Sequence, residues 1–435
     1  MDALRERLRR ELAAARRRTL ELVEATSAAD LARRADAALG PGIWDLGHLA
    51  SFEDLWGVRR VLGESERVSA PELDELYDAF EQPRSKRCDL PLLDRDGALE
   101  LLERVRARTL EGLERARLTD GDDLVRSGYV WSMLVQHEAQ HQETLLQSLQ
   151  HLGVAIPTAD PMAGEPRAEQ APAVDDEQRI QLPGAEVVIG GQTEWGPYDN
   201  ERPRHAVELA PFALDRYPLT NRRFLAFVEA GCYARSELWT AEGRSWLARC
   251  GARSPAGWTR NDDGRWSVRR FGRQIAVDPR EPVQHISCHE AEAFATWVGA
   301  RLPTEFEWEH AATAGGARAP YPWGTPQIDE ARANCDGRRD GPAPVGSFPR
   351  GASPLGIEQM LGDVHEWTAS SFDGYRGFEP FPYPEYSQVF FDRGYRVLRG
   401  SSWAAAGALA RVTYRNWDLP ERRQIFAGCR LAWDA

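Results

Sequence analysis

Lysine is almost missing from this chain: Lys86 is the single one among 54 basic residues, and the rest are arginine. It stands in a charged stretch beside proline, so Schiff-base chemistry, which needs a desolvated amine, is disfavoured. No apolar run reaches the roughly 18 residues that span a bilayer. The N-terminal MDALRERLRRELAAARRR alternates charge with Leu and Ala and lacks the apolar block of a signal peptide. A cytoplasmic monomer with no membrane partner is expected. Cysteine is sparse too: Cys88, Cys232, Cys250, Cys288, Cys335 and Cys429 are scattered without CxxC spacing, which excludes a zinc knuckle or a disulfide scaffold. Excess positive charge is lacking, the net charge being -13, and this argues against a nucleic-acid partner. No fixed-period repeat emerges.

What the chain does have is length, 435 residues with 42% hydrophobic and 28% charged, enough for two or three domains. The first part is helical in pattern. Leu4, Leu8, Leu12, Ala15, Leu20 and Val23 predict a helix over 3–25, and Pro41 opens a second over 41–62. A third is expected over 99–118. The fourth, VWSMLVQHEAQHQETLLQSL (130–149), places Val130, Leu134, His137, His141 and Leu145 on one face. Two imidazoles are thereby turned toward a core, where a polar ring needs a partner. Histidines one turn apart can share a metal ion, or they can be hydrogen-bonded core residues. His48 shares a face with Trp44 and Leu55 on the second helix, which makes it the candidate third ligand, since facing helices of a bundle build such sites.

Residues 155–182, rich in Pro, Ala and acids, read as a linker. Beyond them come short apolar runs (186–190, 205–209), two short helices (221–230, 288–299) and aromatics among glycines, as in an irregular α+β domain. Most of the 15 tryptophans lie in this half.

The segments DRYPLTNRRFLAFVE (215–229), EPVQHISCHEAEAFATWVGARLPTEFEWEHAA (281–312), YPWG (321–324), GDVHEWTASSF (362–372), VLRGSSW (397–403) and FAGCRLA (426–432) resemble the formylglycine-generating-enzyme and sulfatase-modifying-factor domain, a C-type lectin variant. Preceded by a DinB-like bundle with HxxxH, the chain is similar to the ergothioneine-biosynthetic sulfoxide synthases (the EgtB family). The closing TYRNWDLPERRQIFAGCRLAWD (413–434) is like their actinobacterial type. The resemblance implies an α plus α+β architecture: a DinB-like four-helix bundle over 1–154, the linker over 155–182, and a C-type-lectin-like domain over 183–435.

It further implies an Fe(II) cofactor and a reaction of hercynine, γ-glutamylcysteine and O2 that forms a C–S bond and a sulfoxide. The iron ligands fall on His48, His137 and His141. Three imidazoles suit zinc equally well, so iron rests on the resemblance. Gln140 matches a contact to the hercynine imidazole, and Asn416 and Trp417 match positions holding its betaine end, where an indole face suits a quaternary ammonium. Arg84, Arg87, Asp418 and Arg422 resemble the residues gripping the thiol substrate, whose two carboxylates suit arginine forks. Tyr383 is expected to serve the oxygen step, with Tyr386 contacting substrate and Tyr375 as another candidate. Glu138 and Glu143 are out of phase with the histidines, which predicts outer-sphere or surface places for them. Two positions depart from the pattern: His365 replaces a usual Trp, and Ser401 a usual Gly. The paired copper-binding cysteines of formylglycine-generating enzymes are not recognisable, which disfavours that activity. Rival readings are the same chemistry with cysteine or a selenosugar, a zinc-dependent DinB-type thiol transferase, and a non-catalytic lectin-like module.

Overall fold

The computed structural model describes residues 2–119, 121–156, 173–192, 196–325 and 327–435. Two compact units, 1–157 and 158–435, make up the chain. No helix among the described residues is long and apolar enough to cross a membrane.

The first unit is built on four long helices: α1 (Asp2–Glu24), α2 (Gly42–Glu53), α3 (Arg95–Arg115) and α4 (Tyr129–Leu152). α1 packs on α4 and on α3, and α2 on both α3 and α4, as a bundle requires. Leu8, Leu12, Ala15, Thr19, Leu22 and Val23 form the buried stripe of α1. Leu20, expected in that stripe, is 41% exposed. It follows Thr19, and a step of one residue turns a side chain about 100° around the axis. Pro41 is the N-cap of α2, one residue before its expected first-turn place. α2 passes into a π-helical turn, Asp54–Arg59, and α4 stops at Gly153, whose φ of 71° is the left-handed closure that glycine permits at little cost.

Four buried charges cross the middle of the bundle. Arg16 of α1 reaches Glu53 of α2 and Glu138 of α4, each at 2.8 Å, and Arg106 of α3 reaches the same two carboxylates at 2.6 and 2.8 Å. Each acid is held between two guanidiniums, the arrangement that buried charge demands. Burial pushes the Glu53 carboxyl up, but Arg106 and Arg16 outweigh it and hold it below the ordinary value.

The second unit holds a four-stranded sheet in the order Asn416–Asp418, Arg396–Arg399, His365–Ser371, Ala427–Gly428, the last pair parallel. A three-stranded sheet joins Ala432–Asp434, Phe212–Asp215 and Arg179–Leu182, and Ala185–Ile189 pairs with His205–Leu209 as a hairpin. The two short helices expected from sequence are α5 (Asn221–Glu229) and α7 (Cys288–Trp297). Two more, α6 (Ala241–Cys250) and α8 (Glu305–Thr313), each start at a threonine whose hydroxyl accepts a first-turn N–H. Residues 157–172 of the expected linker lie outside the described residues. Its last part departs from that expectation: Arg179–Leu182 is a strand, and Asp176 ion-pairs with Arg222. Leu182 is buried there, an anchor that the neighbouring acids hide in the sequence.

Several motif residues that carry the family resemblance are core ion pairs. Arg399 meets Glu309 at 2.5 Å, Arg415 meets Glu305 at 2.7 Å and Arg430 meets Glu366 at 2.7 Å, all within the fully buried interior. These positions hold the fold together, and the chemistry has to be sought elsewhere.

Candidate metal centre

Helix periodicity delivers three imidazoles to one point. His48 comes from α2, and His137 and His141, one turn apart, from α4. Their ligating nitrogens all lie within 4.8 Å of one another. His48 Nε2 is 3.2 Å from His137 Nε2. With metal–nitrogen bonds of about 2.0–2.1 Å, two imidazoles on one ion hold their nitrogens about 3.0–3.4 Å apart, so the spacing fits a shared cation.

The outer partners set the tautomers. His48 Nδ1 donates to the Tyr77 carbonyl at 2.7 Å, leaving a lone pair on Nε2. His141 Nδ1 lies 3.0 Å from Asp45 Oδ1 and does the same. Trp44 stacks on His48 with centroids 4.8 Å apart, and Phe52 on His137 at 3.8 Å, so each of the two rings lies against an aromatic wall. Burial, and then the neighbouring His141, press the His48 imidazolium down to about 3; the same causes hold His137 well below its ordinary value. Both are therefore neutral donors near pH 7, as metal binding requires.

Gly47 makes room for this arrangement. A Cβ there would fall inside the Tyr77 ring. Tyr77 is buried, with Leu93 N–H donating to its hydroxyl at 2.9 Å, so it cannot swing aside freely. Gly47→Ala is expected to destabilise the unit by about 1–3 kcal/mol, the usual cost of overpacking. By displacing the Tyr77 carbonyl from His48, it should also weaken retained metal, a change that thermal melts with and without added metal will show.

The other sequence-expected residues fall in two groups. In the first unit Gln140 is half-buried on α4, next to His141. Arg84 is exposed and donates to the Ala38 carbonyl at 2.7 Å. Arg87, in a run that reads as solvated charge, is buried: its guanidinium lies 3.4 Å from the Trp44 ring centroid and its Nε donates to the Gln82 carbonyl. It thus forms the outer layer of a stack whose next members are Trp44 and His48. In the second unit Asn416, Trp417 and Asp418 form an edge strand, and Arg422 sits 3.3 Å from Asp418. Trp417 lies flat on Phe372 at 4.1 Å, with Tyr386 edge-on at 5.6 Å and Tyr383 6.3 Å beyond Tyr386. Tyr375 is a different case: it is buried, and its hydroxyl donates to Glu305 at 3.2 Å under Arg415. That engagement removes it as a candidate for the oxygen step.

Sequence reading missed Asp45 and the Tyr77 carbonyl. Asp45 had a signal, since it lies three residues before His48 on the same helix. The carbonyl had none. Glu138 and Glu143 are both buried, which corrects a surface place for either; Glu138 belongs to the charge network.

Residues 11–145 match the DinB superfamily, and residues 170–435 the sulfatase-modifying factor enzyme 1-like domain. Over 99% of both chains the sequence is 43% identical to the hercynine oxygenase of Mycolicibacterium smegmatis. The chain belongs to the hercynine oxygenase family. The hercynine oxygenase of Mycobacterium tuberculosis is 42% identical, again over 99% of both chains. A formylglycine-generating enzyme from Thermomonospora curvata is 35% identical and 93% covered, but the match takes in 59% of this chain. Hercynine oxygenases therefore account for all of the molecule, a DinB-like helical unit followed by a C-type-lectin-like domain, and formylglycine generators for little more than half.

Proposed function

We propose that this protein is a non-haem iron(II) sulfoxide synthase that uses dioxygen to join the sulfur of γ-glutamylcysteine to the imidazole of hercynine, the C–S bond-forming step of ergothioneine biosynthesis. The observation that carries this reading is the convergence of His48, His137 and His141 in a chain that aligns end to end with hercynine oxygenases. Three imidazoles would also hold zinc, but zinc has no redox chemistry, and an oxygenase must pass electrons to dioxygen. The balance is simple: the imidazole C–H and the thiol S–H are lost, one oxygen atom ends on sulfur, and the other leaves as water.

His48, His137 and His141 are assigned as the ligands, and the domain scheme is 1–154 for the metal-binding bundle and 183–435 for the lectin-like domain. Bound there, iron would supply electrons for dioxygen and a positive charge that favours the thiolate of an approaching thiol. Three neutral imidazoles take up about half of an octahedral shell, which leaves positions for substrates and oxygen. Gln140 is assigned to the hercynine imidazole, and Asn416 and Trp417 to its betaine end. Arg84, Arg87, Asp418 and Arg422 are assigned to the charged ends of γ-glutamylcysteine. Arg87 does this while stacked on Trp44, so replacing it should disturb His48 as well as the thiol. Tyr383 is given the proton needed in the oxygen step, and Tyr386 a substrate contact.

Anaerobic reconstitution with ferrous iron, followed by air and both substrates, should give a product whose mass is the sum of the two substrates less two hydrogens plus one oxygen. A product formed only with cysteine, or only with a selenosugar, would reassign the donor. Conversion of substrates under nitrogen by zinc-loaded protein would favour the thiol-transferase reading. Trp417→Ala is expected to raise the KM for hercynine about 2- to 30-fold, the span of a 0.5–2 kcal/mol cation-π contact. The KM for the thiol should stay in place, and Trp417→Phe should recover part of the loss; initial-rate kinetics check both.

A further inference from the structure

We propose that Asp45 is a positioning residue of the metal centre, acting through His141; this rests on the reading that a cation sits among the three histidines. Asp45 is 5% exposed, and among the described residues its one hydrogen bond joins Oδ1 to His141 Nδ1 at 3.0 Å. Its Oδ2 is buried without a hydrogen-bond partner. Other buried acids among the described residues have more partners: Asp54, Asp199 and Asp363 meet no arginine but accept hydrogen bonds on both oxygens, and others pair with arginine. Glu53 and Glu138 each meet two arginines, and Glu305, Glu309 and Glu366 each meet at least one. Among the described residues no guanidinium is within ion-pair distance of Asp45, Arg87 being laid flat on Trp44.

Hydrogen-bonded to one imidazole alone, this carboxylate has its desolvation cost only partly offset. The account changes when the same imidazole bears a dication on its other nitrogen. The carboxylate then faces positive charge through the ring, keeps the proton on Nδ1, and strengthens Nε2 as a donor. Position supports the assignment: Asp45 lies on α2, which contributes His48, and reaches across to α4, which contributes the other two. It therefore holds the single ligand and the pair in register. The architecture makes little sense without the cation and good sense with it.

The test uses the full chain with Co(II) as probe, in parent, Asp45→Asn and Asp45→Glu proteins. Chelator competition should show Asn weakening Co(II) affinity about 10- to 100-fold, the usual loss when an outer partner of a histidine ligand is removed. The visible absorption of the cobalt protein should shift in the same variant, and Glu should recover most of both. Metal-free Asp45→Asn should melt no lower than the metal-free parent, because a buried charge bonded only to an imidazole has gone and Asn can keep the hydrogen bond. An Asn variant that binds Co(II) within twofold of the parent with an unchanged spectrum would overturn the assignment. So would one that melts lower or fails to fold without metal, since that marks a purely structural residue. Tight, Asp45-dependent Co(II) binding in a protein that gives no oxygen-dependent product with iron would leave this inference standing and sink the proposed reaction instead.

Discussion

His137→Ala is expected to abolish iron retention and oxygen uptake together. The ring is buried, neutral, stacked on Phe52, and its Nε2 is 3.2 Å from that of His48. Removing it leaves two imidazoles from different helices, His48 on α2 and His141 on α4. Loss of an outer partner of a ligand costs about 10- to 100-fold in affinity, and loss of a ligand itself should exceed the top of that range. Iron per chain after gel filtration should fall from about one to near zero, and product should drop below detection. The same is expected of His48→Ala and His141→Ala. Circular dichroism should stay helical in all three, because none of these rings belongs to the ion pairs that cross the bundle. A variant that retains iron and turns over at the parental rate would remove that histidine from the centre.

Arg106→Leu is expected to cost the first unit about 3–5 kcal/mol, the loss when one partner of a buried ion pair is removed. It strands Glu53 and Glu138, which then share Arg16 alone, and it abandons the Leu12 carbonyl that Arg106 serves. Calorimetry should show the transition of the helical unit moving down while the lectin-like unit keeps its own. The pH dependence has a definite sign. Because the Glu53 carboxyl is held below its ordinary value of 4.5 in the folded chain, its contribution is complete above that pH and is lost as acid takes the solution through the lower folded value. In Arg106→Leu that acid-sensitive share should shrink. A melting temperature unchanged by the substitution would mean that the network is energetically neutral.

Sequence periodicity went far with the helices and less far with the interior. The 3.6-residue repeat placed His48, His137 and His141 on inward faces, and the structure brings them together, because ligands on regular helices inherit the helix geometry. It misjudged Leu20 by a single step of phase, treated Arg16, Arg106 and Glu53 as anonymous charge, and gave Glu138 no part in a charge network. Buried ion pairs between helices far apart in sequence leave no local pattern; Arg16 and Glu138 are 122 residues apart. In the lectin-like unit the motifs identified a family, while local pattern reached only the apolar runs 186–190 and 205–209, which pair as a hairpin, since irregular loops carry no period to read. The strand Arg179–Leu182 was lost to acidic neighbours for the same reason. Tyr375 was offered as a catalytic candidate because it shares a loop with Tyr383 and such loops tolerate insertions, whereas the folded chain spends its hydroxyl on Glu305.

Oxygen uptake by protein loaded in turn with Fe(II) and Zn(II), each given hercynine and γ-glutamylcysteine, tests the central claim most directly. The account predicts uptake with iron alone, only when both substrates are present, and one sulfoxide formed per O2 consumed. It is contradicted if iron-loaded protein consumes no oxygen with hercynine and any thiol, or if zinc-loaded protein converts the substrates equally well without air.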